Sequence, residues 1–297
     1  MRLRIGTRGS RLAVAQAQEV AALLRERGHR AEIVPILTSG DRGASPASSP
    51  AGVKGLFVAE ITEALARGEV DLAVHSAKDL PSEDPEGIAV GAVPRRNVPY
   101  DVLVTRDGEV PEGSMVGTSS LRRRAQLLRS RPGVRVTELR GNVDTRLRKL
   151  EQGEVDALVL AGAGLARLGA SPPHSVPLPV EDMVPAPGQG ALALQVRVGS
   201  EAAGAVAAID DPPSRAAFEA ERTLVSLLGG GCRLPLGAYA ERRRAGVRLL
   251  AVVIRPDGSD LLWAQVEADR PEAAAREAAE VLRSAGAERI LDEVRGS

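Results

Sequence analysis

Short apolar runs alternate with helix-like stretches through the first two-thirds of this 297-residue chain, and that rhythm limits the fold more than any other feature. Residues 3–6, 33–37 and 72–75 read as strands, with amphipathic helices at 11–27 and 56–67 between them. The order returns further on, with strands at 115–117, 134–139 and 157–160 and helices at 121–129 and 143–152. A strand followed by a helix and another strand places the two strands side by side and parallel. The pattern therefore predicts α/β layers with largely parallel sheets.

Two proline-rich stretches punctuate this rhythm: Val93-Pro94-Arg95-Arg96-Asn97-Val98-Pro99 and Val184-Pro185-Ala186-Pro187-Gly188. They read as two crossings between two α/β domains. The first domain takes residues 1–95 with 190–205, and the second takes 96–189. The last third has a different pattern: a helix at 215–227, strand-like runs at 236–240, 247–254 and 261–266, and a helix at 271–285. Pro256-Asp257-Gly258-Ser259 supplies a hairpin turn. This is a small α+β domain over residues 206–297. Residues 44–51 are poor in apolar side chains and rich in turn formers, so a mobile loop is expected there. The cleft between the two α/β domains is the expected site, because ligands favour domain interfaces and the carboxyl ends of parallel strands.

Charge narrows the partners. The 39 basic and 39 acidic residues cancel, which leaves no global field for nucleic acid or an anionic membrane. Any anion site must come from local clustering of arginine. No apolar run approaches the roughly 20 residues needed to span a bilayer. A strand-like segment begins at once after Met1 with no apolar leader, so a cytoplasmic protein is expected. Neither GxxxxGK[ST] nor GxGxxG occurs, which argues against a P-loop or dinucleotide enzyme. No His/Cys/Asp/Glu grouping has metal-ligand spacing, so no metal site is expected. Cys232 is the single cysteine. A lone cysteine is a candidate nucleophile or attachment point, and equally a small buried filler.

Polar groups collect where strands give way to helices. Thr7-Arg8-Gly9-Ser10 follows the first strand, Gly117-Thr118-Ser119-Ser120 precedes a helix that begins Leu121-Arg122-Arg123, and Arg140-Gly141-Asn142 opens the helix that carries Arg146. Helix N-termini offer unpaired N–H groups and a positive dipole end, and arginine adds bidentate contacts to carboxylate or phosphate. Simple N-capping by Ser and Thr beside solvated arginines explains any one junction. Three junctions with arginine at the same end of the strands point to an anion. His75-Ser76-Ala77-Lys78-Asp79-Leu80-Pro81 follows a buried strand, and Asp79 is the acid/base candidate by position, with turn capping as its plain alternative. His75 reads as a packed structural histidine. Gly229-Gly230-Gly231-Cys232 places the cysteine on a glycine turn after a helix, where the sulfur gains access.

Together these segments resemble hydroxymethylbilane synthase, also called porphobilinogen deaminase, over nearly the whole chain. The matching pieces are Ile5-Gly6-Thr7-Arg8-Gly9-Ser10, Lys54-Gly55-Leu56-Phe57, Val74-His75-Ser76-Ala77-Lys78-Asp79, VGTSSLRR ending at Arg123, LRGNVDTRL ending at Leu147, Pro187-Gly188-Gln189-Gly190 and Gly230-Gly231-Cys232, in family order. The resemblance implies two periplasmic-binding-protein-like α/β domains with a central cleft, plus a third domain bearing the cofactor cysteine. It implies a transferase that polymerises four porphobilinogen molecules head to tail, with loss of ammonia, and releases a linear tetrapyrrole. Its cofactor is a dipyrromethane held through Cys232 by a thioether.

Carried over by motif, Asp79 is catalytic: it protonates the leaving amine and stabilises an azafulvene cation. Lys78, Ser76, Ser119, Arg122, Arg123, Arg140 and Arg146 bind the cofactor, and Arg8, Ser10, Lys54 and Gln189 serve the substrate. The partner is porphobilinogen alone, with no nucleic acid, no membrane and a monomeric protein. Gly52-Val53-Lys54 has one glycine where the family often has two, and Pro50 stands where a second lysine often lies. The rival reading is a non-catalytic anion-binding protein of periplasmic type, which predicts a signal peptide and needs no third-domain cysteine.

Overall fold

The computed structural model describes residues 1–37, 52–229 and 234–296, with side chains in the first turns of the helix from Gly52 excepted up to residue 57. The expected loop at 44–51 and Cys232 lie outside the described residues.

The first sheet is built from β1 (Arg2–Arg8), β2 (Arg30–Ile36), β3 (Leu72–Ser76), β4 (Ile88–Ala92) and β10 (Leu192–Arg197), in the order β2-β1-β3-β10-β4. Leu3 and Ile5 of β1 are wholly buried. Helix α1 (Arg11–Glu26) lies across this sheet. The Ser10 hydroxyl caps it by accepting from the Ala13 N–H, and its buried face is Gln16, Ala17, Val20, Ala21 and Leu24, the spacing of one helical stripe. Truncating a buried leucine such as Leu24 costs about 2–5 kcal/mol. Helix α2 (Gly52–Ala66) covers the opposite side and begins four residues before its expected start.

The second sheet holds β5 (Asp101–Thr105), β6 (Met115–Gly117), β7 (Arg135–Thr137), β8 (Ala157–Ala161) and β9 (Ser175–Pro177), in the order β7-β6-β8-β5-β9. Helices α3 (Leu121–Ser130), α4 (Val143–Glu151) and α5 (Gly162–Leu168) accompany it. The two sheets repeat one plan: three parallel strands in the order second-first-third, then two more. The expectation of largely parallel sheets needs correction here. In each sheet the fourth strand, β10 or β5, runs antiparallel to both neighbours. Each is the first strand after a crossing, so the chain enters from the hinge side rather than from a helix return. Helix α6 (Glu201–Ala207) follows β10, and its Ala202, Ala205 and Val206 join the first core together with Ile209.

The third domain is an antiparallel sheet of β11 (Leu236–Arg243), β12 (Gly246–Ile254) and β13 (Leu261–Ala268). Helices α7 (Pro212–Leu227) and α8 (Pro271–Ser284) pack on one face through Leu224, Leu249, Val253, Ala278 and Leu282. The expected single closing helix is two, because Gly286 at φ +98 breaks α8 from α9 (Ala287–Arg295). The opposite sheet face meets the second domain, where Leu250 and Val252 pack with Val184. Among the described residues no helix is long and apolar enough to cross a membrane, and no group of His, Cys, Asp and Glu is arranged to hold a metal.

Candidate active site

The repeated plan puts the loops after β1, β3, β6 and β7 at the carboxyl ends of parallel strands, and these are the loops the sequence motifs occupy. Two ion pairs draw the domains together at this end. Arg11, one residue after the loop of Arg8 and Ser10, meets Asp144 at 2.8 Å, just beyond the loop of Arg140. Arg167 of α5 pairs with Glu19 of α1 at 2.8 Å and donates to the Gly190 carbonyl.

Lys78 and Asp79 stand on a 3-10 turn over Ala77–Asp79 directly after β3. The second crossing presses against this turn. The Ala77 N–H donates to the Ala191 carbonyl, and Gly188 lies so near that a Cβ there would stand 2.8 Å from the Lys78 nitrogen. Gly188 has φ +74 and Gly190 φ +88, a region that favours glycine. At Gly190 a Cβ would fall 2.6 Å from the Asn97 carbonyl oxygen of the first crossing. The two crossings are thus in backbone contact, which the missing side chain of Gly190 permits.

Ser76 exchanges hydrogen bonds with the Gln16 amide, at 2.8 Å from Nε2. His75 is buried among Gln195, Asp79 and Asp84, and its Nε2 has no partner. Burial pushes its pKa down to about 4, against the opposing pull of the Gln195 hydrogen bond and the two carboxylates. His75 is therefore neutral at physiological pH, in keeping with a structural histidine.

The arginines divide. Arg122 and Arg123 turn inward on wholly buried Asp101, at 2.8 and 2.7 Å. Arg122 also donates to the Val184 carbonyl and Arg123 to that of Val159. Burial would raise the Asp101 pKa, but the two guanidinium charges outweigh it and hold the carboxyl well below the usual range. Arg146 donates to the Gly141 carbonyl and the Ser119 hydroxyl, and burial followed by repulsion from Arg123 pulls its pKa down to about 10. Arg140 is different: it is 68% exposed and pairs with Glu138. So the pair expected to act together splits, with Arg146 turned toward Arg123 and Arg140 toward solvent.

Gln189 is 1% exposed, and its amide donates to the Pro99 carbonyl and to Asp101. Ser10 and Ser120 cap α1 and α3, and Asn142 caps α4. The side chain of Lys54 and all of Cys232 lie outside the described residues. Sequence reasoning missed Gln16, Asp101 and Arg167. Gln16 left a visible signal, a polar residue on the apolar stripe of α1; the other two left none.

A donor set of crowded arginines with one shared carboxylate fits a polycarboxylate. An anion near Arg146 would stabilise its charged form against the burial and the Arg123 repulsion that depress its pKa. Family models match in the same sense: "Porphobilinogen deaminase, dipyromethane cofactor binding domain" over residues 3–205 and "Porphobilinogen deaminase, C-terminal domain" over residues 216–287. The chain belongs to the porphobilinogen deaminase family.

Porphobilinogen deaminase of Rubrobacter xylanophilus is 48% identical, over 99% of this chain and 98% of its own length. That of Desulforudis audaxviator is 49% identical, over 98% and 97%. Among solved structures, the methionine binding protein MetQ is similar over 69% of this chain and 88% of its own, with a TM-score of 0.44 and 13% identity. As a member of the family the chain is a tetrapyrrole-synthesising transferase with a dipyrromethane cofactor, and the rival reading of a non-catalytic anion binder is not favoured.

Proposed function

We propose that this chain joins four porphobilinogen molecules head to tail in the cleft, with Asp79 as the acid/base group, the arginine cluster as the carboxylate receptor and Cys232 as the point of cofactor attachment. One observation carries the reading. Consecutive residues of the second crossing touch both halves of the site: Gly188 packs on the Lys78 turn, and Gln189 bonds to Asp101 beside Arg123. Two adjacent residues of the second crossing thus touch the Lys78–Asp79 turn and the arginine cluster, which supports a single site built from both.

When bound, the dipyrromethane supplies a tethered primer whose acetate and propionate groups carry negative charge. Arg123 and Arg146, with Ser119, Ser76, Lys78, Arg122 and Arg140 around them, would hold those groups. Arg8 and Ser10 across the cleft would receive the incoming substrate, with Lys54 and Gln189 at its margins. Guanidinium forks suit this work because they meet a carboxylate bidentately and never lose their charge at working pH. Asp79 would pass a proton from a carboxyl oxygen to the departing amine, which leaves as ammonia, and would then take up the pyrrole proton. A tethered acceptor turns each addition into reaction within one complex, which removes the entropy of bringing in a second molecule. The reading includes a monomer in the cytoplasm, where a thioether on Cys232 survives the reducing thiol pool.

Asp79→Asn tests it. The variant should keep the fold and the mass of the loaded protein while turnover of porphobilinogen falls about 10²–10⁴-fold, the usual contribution of a general acid or base. Near-normal turnover in the purified variant would remove Asp79 from the reaction.

A further inference from the structure

Asp101 has no part in the roles assigned above, yet it makes more ionic contacts than any neighbour. It is wholly buried at the first position of β5, where the first crossing enters the second domain. One carboxylate oxygen accepts from Arg123 Nε at 3.2 Å, Arg123 Nη2 at 2.7 Å and Gln189 Nε2 at 2.8 Å; the other accepts from Arg122 Nη2 at 2.8 Å. Gln189 belongs to the second crossing, and its carbonyl accepts from Arg96 of the first. The carboxylate is thus fixed from both crossings at once.

The consequence falls on Arg123. A guanidinium has five N–H donors in a fixed plane. For Arg123, Asp101 takes two, the Val159 carbonyl takes one and the Gln189 amide oxygen, at 3.4 Å, takes another. Among the described residues the remaining N–H, on Nη1, has no protein acceptor. Arg146, which feels the Arg123 charge, bonds among the described residues only to the Gly141 carbonyl and the Ser119 hydroxyl, through Nε and Nη2. Among the described residues two buried guanidiniums share one carboxylate, which leaves an excess positive charge there, and Asp101 sets the plane from which Arg123 presents it.

We propose that Asp101 is a positioning residue of the carboxylate receptor: it orients Arg123 toward an anionic side chain of the bound pyrrole chain and ties that orientation to the interdomain hinge. The inference rests on the reading of Arg123 as a cofactor-binding residue. It predicts that what matters at position 101 is an acceptor within reach of Arg123, beyond the mere balance of charge.

The experiment compares two variants in one background. Arg122→Met removes one cation. Adding Asp101→Asn removes one anion, so the buried net charge returns to its original value while the amide oxygen still accepts from Arg123. Asp101→Leu in the same background has the same charge and no acceptor. Arg122's own contribution is absent from both and cancels. Intact mass should show the asparagine form loaded with two extra pyrrole units to the same extent as Arg122→Met, with a KM for porphobilinogen within about threefold of it. The leucine form should lose most of that mass excess, and its remaining loaded fraction should show a KM raised roughly 10- to 100-fold, the scale of a misplaced binding group.

Should the leucine form not fold, Asp101→Ala serves as the second form without an acceptor, since alanine carries no side-chain oxygen. Equal loading and equal KM in the forms with and without an acceptor would overturn the proposal. Arg123→Met separates the underlying reading: if it leaves loading and KM unchanged, the assignment of Arg123 itself fails, whereas an impaired Arg123→Met beside indifferent position-101 variants refutes the positioning role alone.

Discussion

Arg96 and Glu221 form a buried ion pair, with Nη1 and Oε1 2.6 Å apart, that joins the first crossing to helix α7 of the third domain. Glu221 is wholly buried and also accepts from the backbone N–H groups of Gly188 and Ala240, so one carboxylate gathers both crossings and β11. Helix α7 makes a second link, from Arg222 to Asp84 at 2.9 Å and to the Pro81 carbonyl, in the loop that follows Asp79. The helix that runs toward Cys232 is therefore fixed both to the two crossings and to the loop beyond the Lys78–Asp79 turn.

Removing Arg96 while leaving Glu221 buried should be costly. An uncompensated buried charge destabilises by about 3–5 kcal/mol. Arg96→Leu should lower the urea midpoint accordingly, and the loaded protein should lose turnover through the displaced second crossing. A loss below about 1 kcal/mol would mean that water reaches Glu221 and that the pair does not organise the hinge.

Two glycines with nearly the same φ separate strain from contact. Gly188 and Gly199 have φ +74 and +73, but a Cβ at Gly199 meets nothing within 4 Å, while at Gly188 it strikes the Lys78 turn. Gly199→Ala should cost only the left-handed penalty of about 1–2 kcal/mol, with turnover unchanged. Gly188→Ala should cost more and should also reduce turnover, by moving Asp79. Matching effects of the two substitutions on turnover would show that the Gly188 contact does not position the turn.

His75 predicts a defined acid sensitivity. Its folded pKa is about 4, below the value of 6.5 for an unperturbed histidine. Between these values the unfolded chain binds a proton that the folded protein refuses, so stability falls as pH drops from 6.5 toward 4, by about 3 kcal/mol in all. Above pH 6.5 both states are neutral and the contribution is flat. His75→Gln should flatten this part of the stability profile measured by denaturant unfolding. An unchanged slope in the variant would place the acid sensitivity elsewhere.

The sequence made some of this legible and hid the rest for physical reasons. Alternating strand and helix patterns showed the two α/β domains because each element buries its own stripe locally. Strand direction was not legible: β5 and β10 are absent from the expected strands, and only their place directly after a crossing reverses them. Pro187-Gly188-Gln189-Gly190 stood out as a motif, but its reason, backbone contact between two crossings some 90 residues apart in sequence, exists only in the folded chain. Asp101 shows the limit most clearly. It stands before the short apolar run Val102-Leu103-Val104, and nothing local announces that Arg122, Arg123 and Gln189 converge on it. The arginine motifs were visible, yet the division that turns Arg146 inward and Arg140 outward depends on Ser119 and Glu138, which pattern alone does not rank.

The most direct measurement is the mass of the intact purified protein beside the mass of its sequence, followed by the mass of the peptide that contains Cys232. The account predicts an excess of two pyrrole units on the protein, the same excess on that peptide, and loss of both the excess and the activity in Cys232→Ala. An unmodified Cys232 thiol in fully active protein would contradict it.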